Sequence, residues 1–192
     1  METTKNIAIL ISGTGTNADK IMQYFYLKSK MKVSIIISHK ENNWIEAQCK
    51  KYGAEYLFTE LKNLNNASFL HKILSNKKTD LIVLAGYLKK IPAEFIQFYP
   101  EKIINIHPSL LPKHGGKGMY GDYVHNEVLK YKENESGITI HYVNEEFDKG
   151  KIIAQFKCII EKNENLKSLK GKIQKLEHRH YPQIIEEILK KI

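Results

Sequence analysis

Apolar runs of strand length alternate with segments of helical periodicity along almost all of this chain, and few architectures accept that alternation. Leu81-Ile82-Val83-Leu84-Ala85 has no polar side at all, so both of its faces must be covered, as in the centre of a parallel sheet. The spacing predicts strands over 7–11, 31–38, 55–58, 81–85, 102–107, 136–143 and 151–160. Between them it predicts helices from Asn17, over 44–52 and 68–76, from Pro92, over 123–132, and from Leu166 onward with an interruption at Pro182. The fold class is therefore α/β: a mostly parallel, twisted sheet with helices on both faces.

The 192 residues, 42% of them hydrophobic, suffice for one sizeable core, and no Pro/Gly/Ser-rich linker divides them, so one domain over 1–192 is expected. No apolar run approaches the ~18 residues of a membrane span. The N-terminus lacks the basic and apolar regions of a secretion signal, and a cytoplasmic location is expected. Cys49 and Cys158 belong to no C-x-x-C pair and read as reduced packing residues. The net charge of +9 suggests a polyanion partner, but Arg179 is the only arginine, and guanidinium forks are what usually grip phosphates and read bases. Most of the excess charge lies from Lys149 onward, as expected of a solvated helix face, and no specific nucleic-acid partner is expected.

Three segments carry chemistry. In Asn105-Ile106-His107-Pro108, residues two apart on a strand share a face, so Asn105 and His107 stand together at a strand end that Pro108 terminates. A plain surface turn is the alternative. The turn Ser12-Gly13-Thr14-Gly15-Thr16-Asn17 follows a strand and opens a helix, where free N–H groups and the helix dipole favour an anion. With Ala18 it also fits G-x-G-x-x-A, yet the ribose-binding acid expected roughly 20 residues later is absent, since the second strand ends Ile36-Ile37-Ser38-His39. A single phosphate, with donors from Thr16 and Asn17, suits this turn better than a dinucleotide. The third segment is the acidic loop from Asn144 to Gly150, in which Asp148 would raise the pKa of His107 if the loop folds over the neighbouring strand; a solvated hairpin tip explains the same residues.

Together these segments resemble the phosphoribosylglycinamide formyltransferase family. The likeness runs from Ile7 to about Pro182, through Ser-Gly-Thr-Gly-Thr-Asn at 12–17, Leu-Ala-Gly-Tyr at 84–87 and Asn-Ile-His-Pro-Ser-Leu-Leu-Pro at 105–112. It continues in Lys-Gly-Met-Tyr-Gly at 117–121, Gly-Ile-Thr-Ile-His-Tyr-Val at 137–143, Phe-Asp-Lys-Gly at 147–150 and Leu-Glu-His-Arg-His-Tyr-Pro at 176–182. The resemblance implies a Rossmann-like formyltransferase fold and direct transfer of a formyl group from the co-substrate 10-formyltetrahydrofolate to the amine of glycinamide ribonucleotide, in purine biosynthesis. It places the catalytic trio on Asn105, His107 and Asp148, with a protonated His107 and Asn105 stabilising an oxyanion, and Thr139 as a supporting hydroxyl.

By the same likeness, Gly15, Thr16 and Asn17 hold the phosphate, Glu177 holds the sugar or glycinamide end, and Leu88, Lys89, Lys90 and Ile91 line the folate pocket beside Asn105. Many members place arginine where this chain has Lys89, and a second arginine has no counterpart among Lys62, Asn63 and Leu64. Weaker or differently organised binding of the folate's glutamate tail is therefore expected. No metal is expected, because the other histidines, His141 among them, form no zinc pattern. Small-molecule substrates, no membrane, and a monomer or homodimer complete the expectations. The compact chain and its phosphate turn favour glycinamide ribonucleotide as acceptor over the chemistry of formyltetrahydrofolate hydrolase or other folate-dependent N-formyltransferases. A non-catalytic phosphate- or RNA-binding module would leave Asn105, His107 and Asp148 without a reason.

Overall fold

The computed structural model describes residues 4–192. The elements follow in chain order as β1 (Lys5–Ile11), α1 (Thr16–Phe25), β2 (Met31–Ser38), α2 (Asn43–Tyr52), β3 (Glu55–Phe58), α3 (Leu61–Leu64), α4 (Ala67–Asn76) and β4 (Thr79–Leu84). Then come α5 (Ala93–Phe98), β5 (Ile103–His107), α6 (Asp122–Lys130), β6 (Glu135–Tyr142), β7 (Ile152–Ile159) and α7 (Leu166–Leu189). The seven strands form one sheet in the order β3-β2-β1-β4-β5-β6-β7. The first five strands of this order form four parallel pairs, whereas β6 pairs antiparallel with both β5 and β7.

Alternation along each strand sorts side chains into two layers. Ile7, Ile9 and Ile11 of β1 join Met22, Phe25, Ile45, Val128, Ile173 and Ile185 beneath α1, α2, α6 and α7, while Ala8 and Leu10 join Leu64, Leu70, Leu74 and Phe95 on the opposite face. Each fully buried Ile or Leu contributes about 1.5–3 kcal/mol through the water it sheds. Cys49 lies buried in the first layer as a free thiol, and burial pushes it up to about 12; Cys158 is also free.

Two differences from the sequence reading have local causes. α3 was not anticipated, because four residues are too few to show a helical period. α7 runs unbroken through Pro182, where an interruption was expected. The lost N–H and ring clash cost about 3 kcal/mol, and the packing of Tyr181, Ile184, Ile185 and Ile188 into the core outweighs that. The Tyr181 hydroxyl also donates to the Leu84 carbonyl at 3.0 Å, tying α7 to the end of β4. Among the described residues no helix is long and apolar enough to cross a membrane.

The chain leaves β1 towards β2 and β3 on one side, then returns to place β4 and β5 on the other. Connections therefore diverge at the carboxyl ends of β1 and β4, and such a crevice is where open α/β sheets receive ligands.

Candidate active site

A cavity of about 1100 Å³ opens at that crevice. Its walls come from the turn after β1, the segment after β4, the end of β5, the 116–122 segment, the loop after β6 and the inner side of α7. Ser12 locks two of these walls together: its amide donates to the Gly86 carbonyl at 3.1 Å and its hydroxyl accepts from the Leu88 amide at 3.0 Å.

Asn105 and His107 share one face of β5, as expected, while Ile104 and Ile106 pack into the opposite layer. The antiparallel register sets His141 opposite Asn105 and Thr139 opposite His107. The loop after β6 does fold back. A side chain at Gly150 would place its Cβ 1.7 Å from the Tyr142 carbonyl oxygen, so only glycine permits the tight return that brings Asp148 under the histidines. Asp148 Oδ2 lies 3.4 Å from His107 Nδ1 and accepts the Gly116 amide at 2.9 Å, and Oδ1 lies 3.7 Å from His141 Nε2. Glu145 and Glu146 of the same loop stay exposed.

Both nitrogens of His107 face acceptors. Nε2 lies 2.8 Å from the His114 carbonyl oxygen, so it carries a hydrogen, and Nδ1 faces the Asp148 carboxylate. The expectation that Asp148 raises the His107 pKa holds for that pair but not for the sum. Burial, the largest influence, together with the neighbouring His141 and His114, lowers the pKa by more than Asp148 and the His114 carbonyl raise it, so His107 titrates below its ordinary value. Burial likewise pushes Asp148 up, and His141, His107 and the Gly116 amide more than offset this, holding it below the usual carboxylate range.

His141 was not anticipated as part of this cluster. Its Nδ1 donates to the Tyr142 carbonyl at 2.8 Å, leaving Nε2 to accept from Asn105 Nδ2 at 3.2 Å. Only the strand pairing reveals this, since 36 residues separate the two positions. His125 of α6 is buried in the cavity wall with Nδ1 lacking a protein partner, and burial lowers its pKa. Thr139 does not line the cavity. Its buried hydroxyl donates to the Ser109 carbonyl at 2.7 Å and accepts from the Leu111 amide and Gln155 Nε2, both at 2.9 Å, bracing the turn behind His107.

At the other end, Gly15 caps α1 from the left-handed region with φ 81° and no side chain occupies the cap, so the helix N-terminus is presented to the cavity. Asn42 braces this turn from outside: Nδ2 donates to the Gly13 and Thr14 carbonyls at 3.1 and 3.2 Å, while Oδ1 caps α2. Asn17, expected at the phosphate, makes a side-chain contact across the cavity wall. Its Nδ2 donates to Glu177 Oε2 at 3.0 Å, which pairs that amide with the acid on α7. Glu177 is raised by burial, opposed by the Asn17 hydrogen bond. Gln174, one turn before Glu177, also lines the cavity and had no local signal.

Leu88, Lys89, Lys90 and Ile91 all line the cavity, with both lysines exposed at its rim. Lys62 pairs instead with Glu60 at 2.8 Å.

The family model described as formyl transferase matches residues 5–185. The chain belongs to the formyl transferase family. Within it, the chain is 34% identical over 187 residues to the phosphoribosylglycinamide formyltransferase of Haemophilus influenzae, spanning 95% of this chain and 86% of that one. It is 36% identical over 190 residues to the chloroplastic phosphoribosylglycinamide formyltransferase of Arabidopsis thaliana, covering 96% of this chain and 65% of that protein. Among formyl transferases of known structure, the phosphoribosylglycinamide formyltransferase of Bacillus halodurans superposes with a TM-score of 0.84 at 32% identity, covering 96% and 95% of the two chains. Membership in the phosphoribosylglycinamide formyltransferase branch of the family follows from these likenesses.

Proposed function

We propose that this formyl transferase moves the formyl group of 10-formyltetrahydrofolate to the amine of glycinamide ribonucleotide in purine synthesis, in the cytoplasm. The observation that carries the mechanism is the contact of Asp148 with His107 beside Asn105, in the same cavity that the uncapped N-terminus of α1 faces. The cavity is large enough for two small ligands to meet. Gly15 and Thr16 offer backbone donors to the phosphate, Glu177 with Asn17 engages the sugar or glycinamide end, and the 88–91 segment lines the folate side.

As the amine nitrogen bonds to the formyl carbon, the formyl oxygen gains negative charge. Asn105 Nδ2 supplies a donor for that charge by exchanging its internal contact with His141; one such donor is typically worth about 3–4 kcal/mol. The proton lost by the amine is taken up by the Asp148–His107 pair and held at Nδ1 between ring and carboxylate. It returns to the folate nitrogen as the carbon–nitrogen bond to the donor breaks. His107 thus starts neutral rather than cationic, in keeping with its burial.

The test mixes purified protein with both substrates and follows formylated product by mass. Product that requires both substrates and His107 supports the reading. Deformylation of the folate without ribonucleotide would replace it with a hydrolase. His107→Ala is expected to lower kcat about a hundredfold or more while leaving the KM for the ribonucleotide nearly unchanged.

A further inference from the structure

The His107 ring is held by a second acceptor, and that acceptor has its own support. His114 stands in the left-handed region with φ 54°, which turns its carbonyl towards His107 Nε2 at 2.8 Å. Its ring points the other way: Nε2 lies 3.2 Å from Glu133 Oε1, and the ring rests against Tyr131 with centroids 5.7 Å apart. Glu133 is anchored again by Lys113, whose Nζ lies 2.9 Å from Oε2. Ser109, fully buried, closes the turn by donating to the Lys113 carbonyl at 2.7 Å. A non-glycine left-handed residue is strained and persists only where its surroundings hold it.

We propose that His114 and Glu133 are positioning residues, which hold the His114 carbonyl as the second acceptor of the His107 imidazolium formed during catalysis. A neutral His107 has one N–H for two acceptors. With the hydrogen on Nε2, the Nδ1 lone pair faces the Asp148 carboxylate; with it on Nδ1, the Nε2 lone pair faces the carbonyl oxygen. Only the cation satisfies both. The carbonyl therefore works with Asp148 against burial, and the tether of the His114 ring to Glu133 helps Ser109 to keep it turned towards His107. If the tether is released, the carbonyl can turn away, leaving a neutral ring that donates from Nδ1 to Asp148 alone.

The inference rests on the proposed role of His107, and its test is read on the ring itself, without substrates. Charged and titratable groups facing His107 come from several elements: Asp148 from the loop after β6, His141 from β6, His114 from the turn after β5 and His125 from α6. Assigned nitrogen-15 spectra of the histidine rings, followed over pH, report the tautomer and midpoint of each. In the wild type, neutral His107 should carry its hydrogen on Nε2. In Glu133→Ala and in His114→Phe the hydrogen should move to Nδ1, and the midpoint should fall by about one pH unit, tenfold in the protonation constant. Glu133→Asp should restore much of the wild-type signal. Lys113→Ala, which leaves the His114 contact in place, should not shift it. An unchanged tautomer and midpoint in folded Glu133→Ala and His114→Phe would overturn the proposal, and an equal shift in Lys113→Ala would reduce it to a long-range charge effect. Loss of formyl transfer in the wild type with the predicted ring behaviour intact would count against the assigned reaction alone.

Discussion

The Asp148 carboxylate stands 3.4 Å from His107 Nδ1, on a residue whose own backbone is left-handed at φ 57°. The Gly116 amide, donating to Oδ2 at 2.9 Å, helps to hold that conformation. Asp148→Asn removes the charge that opposes burial at His107, so the His107 midpoint should fall further. The variant should lose about 10²- to 10⁴-fold in kcat. Steady-state rates against pH, beside ring titration, check both; a kcat within a few-fold of wild type would remove Asp148 from the proton path.

Gly15→Ala should damage the phosphate end specifically. The position has φ 81°, which strains any side chain, and an added Cβ would lie 3.0 Å from Ile45 Cδ1, which must give way slightly. Strain of this kind costs about 1–3 kcal/mol. The KM for the ribonucleotide should rise tenfold or more with little change in that for the folate. Equal changes in both constants would show a general loosening instead.

Tyr181→Phe should cost about 1–2 kcal/mol in urea denaturation, since the fully buried hydroxyl reaches the Leu84 carbonyl at 3.0 Å and the substitution leaves that acceptor short of a donor. Activity per folded molecule should be nearly unchanged. A variant as stable as wild type would mean that the packing of α7 alone fixes it to the sheet.

Acid should destabilise the protein through its buried rings. Burial, the largest influence on each, lowers both His107 and His125 below their ordinary 6.5. In the window between the folded value and 6.5 the unfolded chain binds more protons, so stability is complete above about 6.5 and falls as pH falls, by up to about 1.4 kcal/mol per pH unit for each ring. Replacing His125 with Phe should reduce the slope of the denaturation midpoint between pH 7 and 5. An unaltered slope would show that His125 does not titrate on unfolding in this range.

The sequence made the sheet legible because β1, β2 and β4 are apolar runs bounded by turn residues, and β2 and β3 fall where the pattern puts them. It could not reveal the strand order, which long-range pairing decides. The same limit explains the site. Asn105 and His107 are readable because two residues on one strand carry their own geometry. His141 joins them only through a cross-strand register, and the carbonyl of His114 reaches His107 only through a left-handed turn. The hydrogen bond from Asn17 to Glu177 joins residues 160 positions apart, and no local pattern announces it.

The register between β5 and β6 also makes the site unequally tolerant of length change. Deleting one residue of β6 ahead of His141 would bring a neighbour such as Tyr142 opposite Asn105 and send the imidazole to the other face. Residues added within 117–121 would leave every strand partner where it is. Insertions and deletions in descendants of this chain should therefore collect in that segment, and the frame that aligns Asn105, His107 and His141 should keep a fixed count of residues.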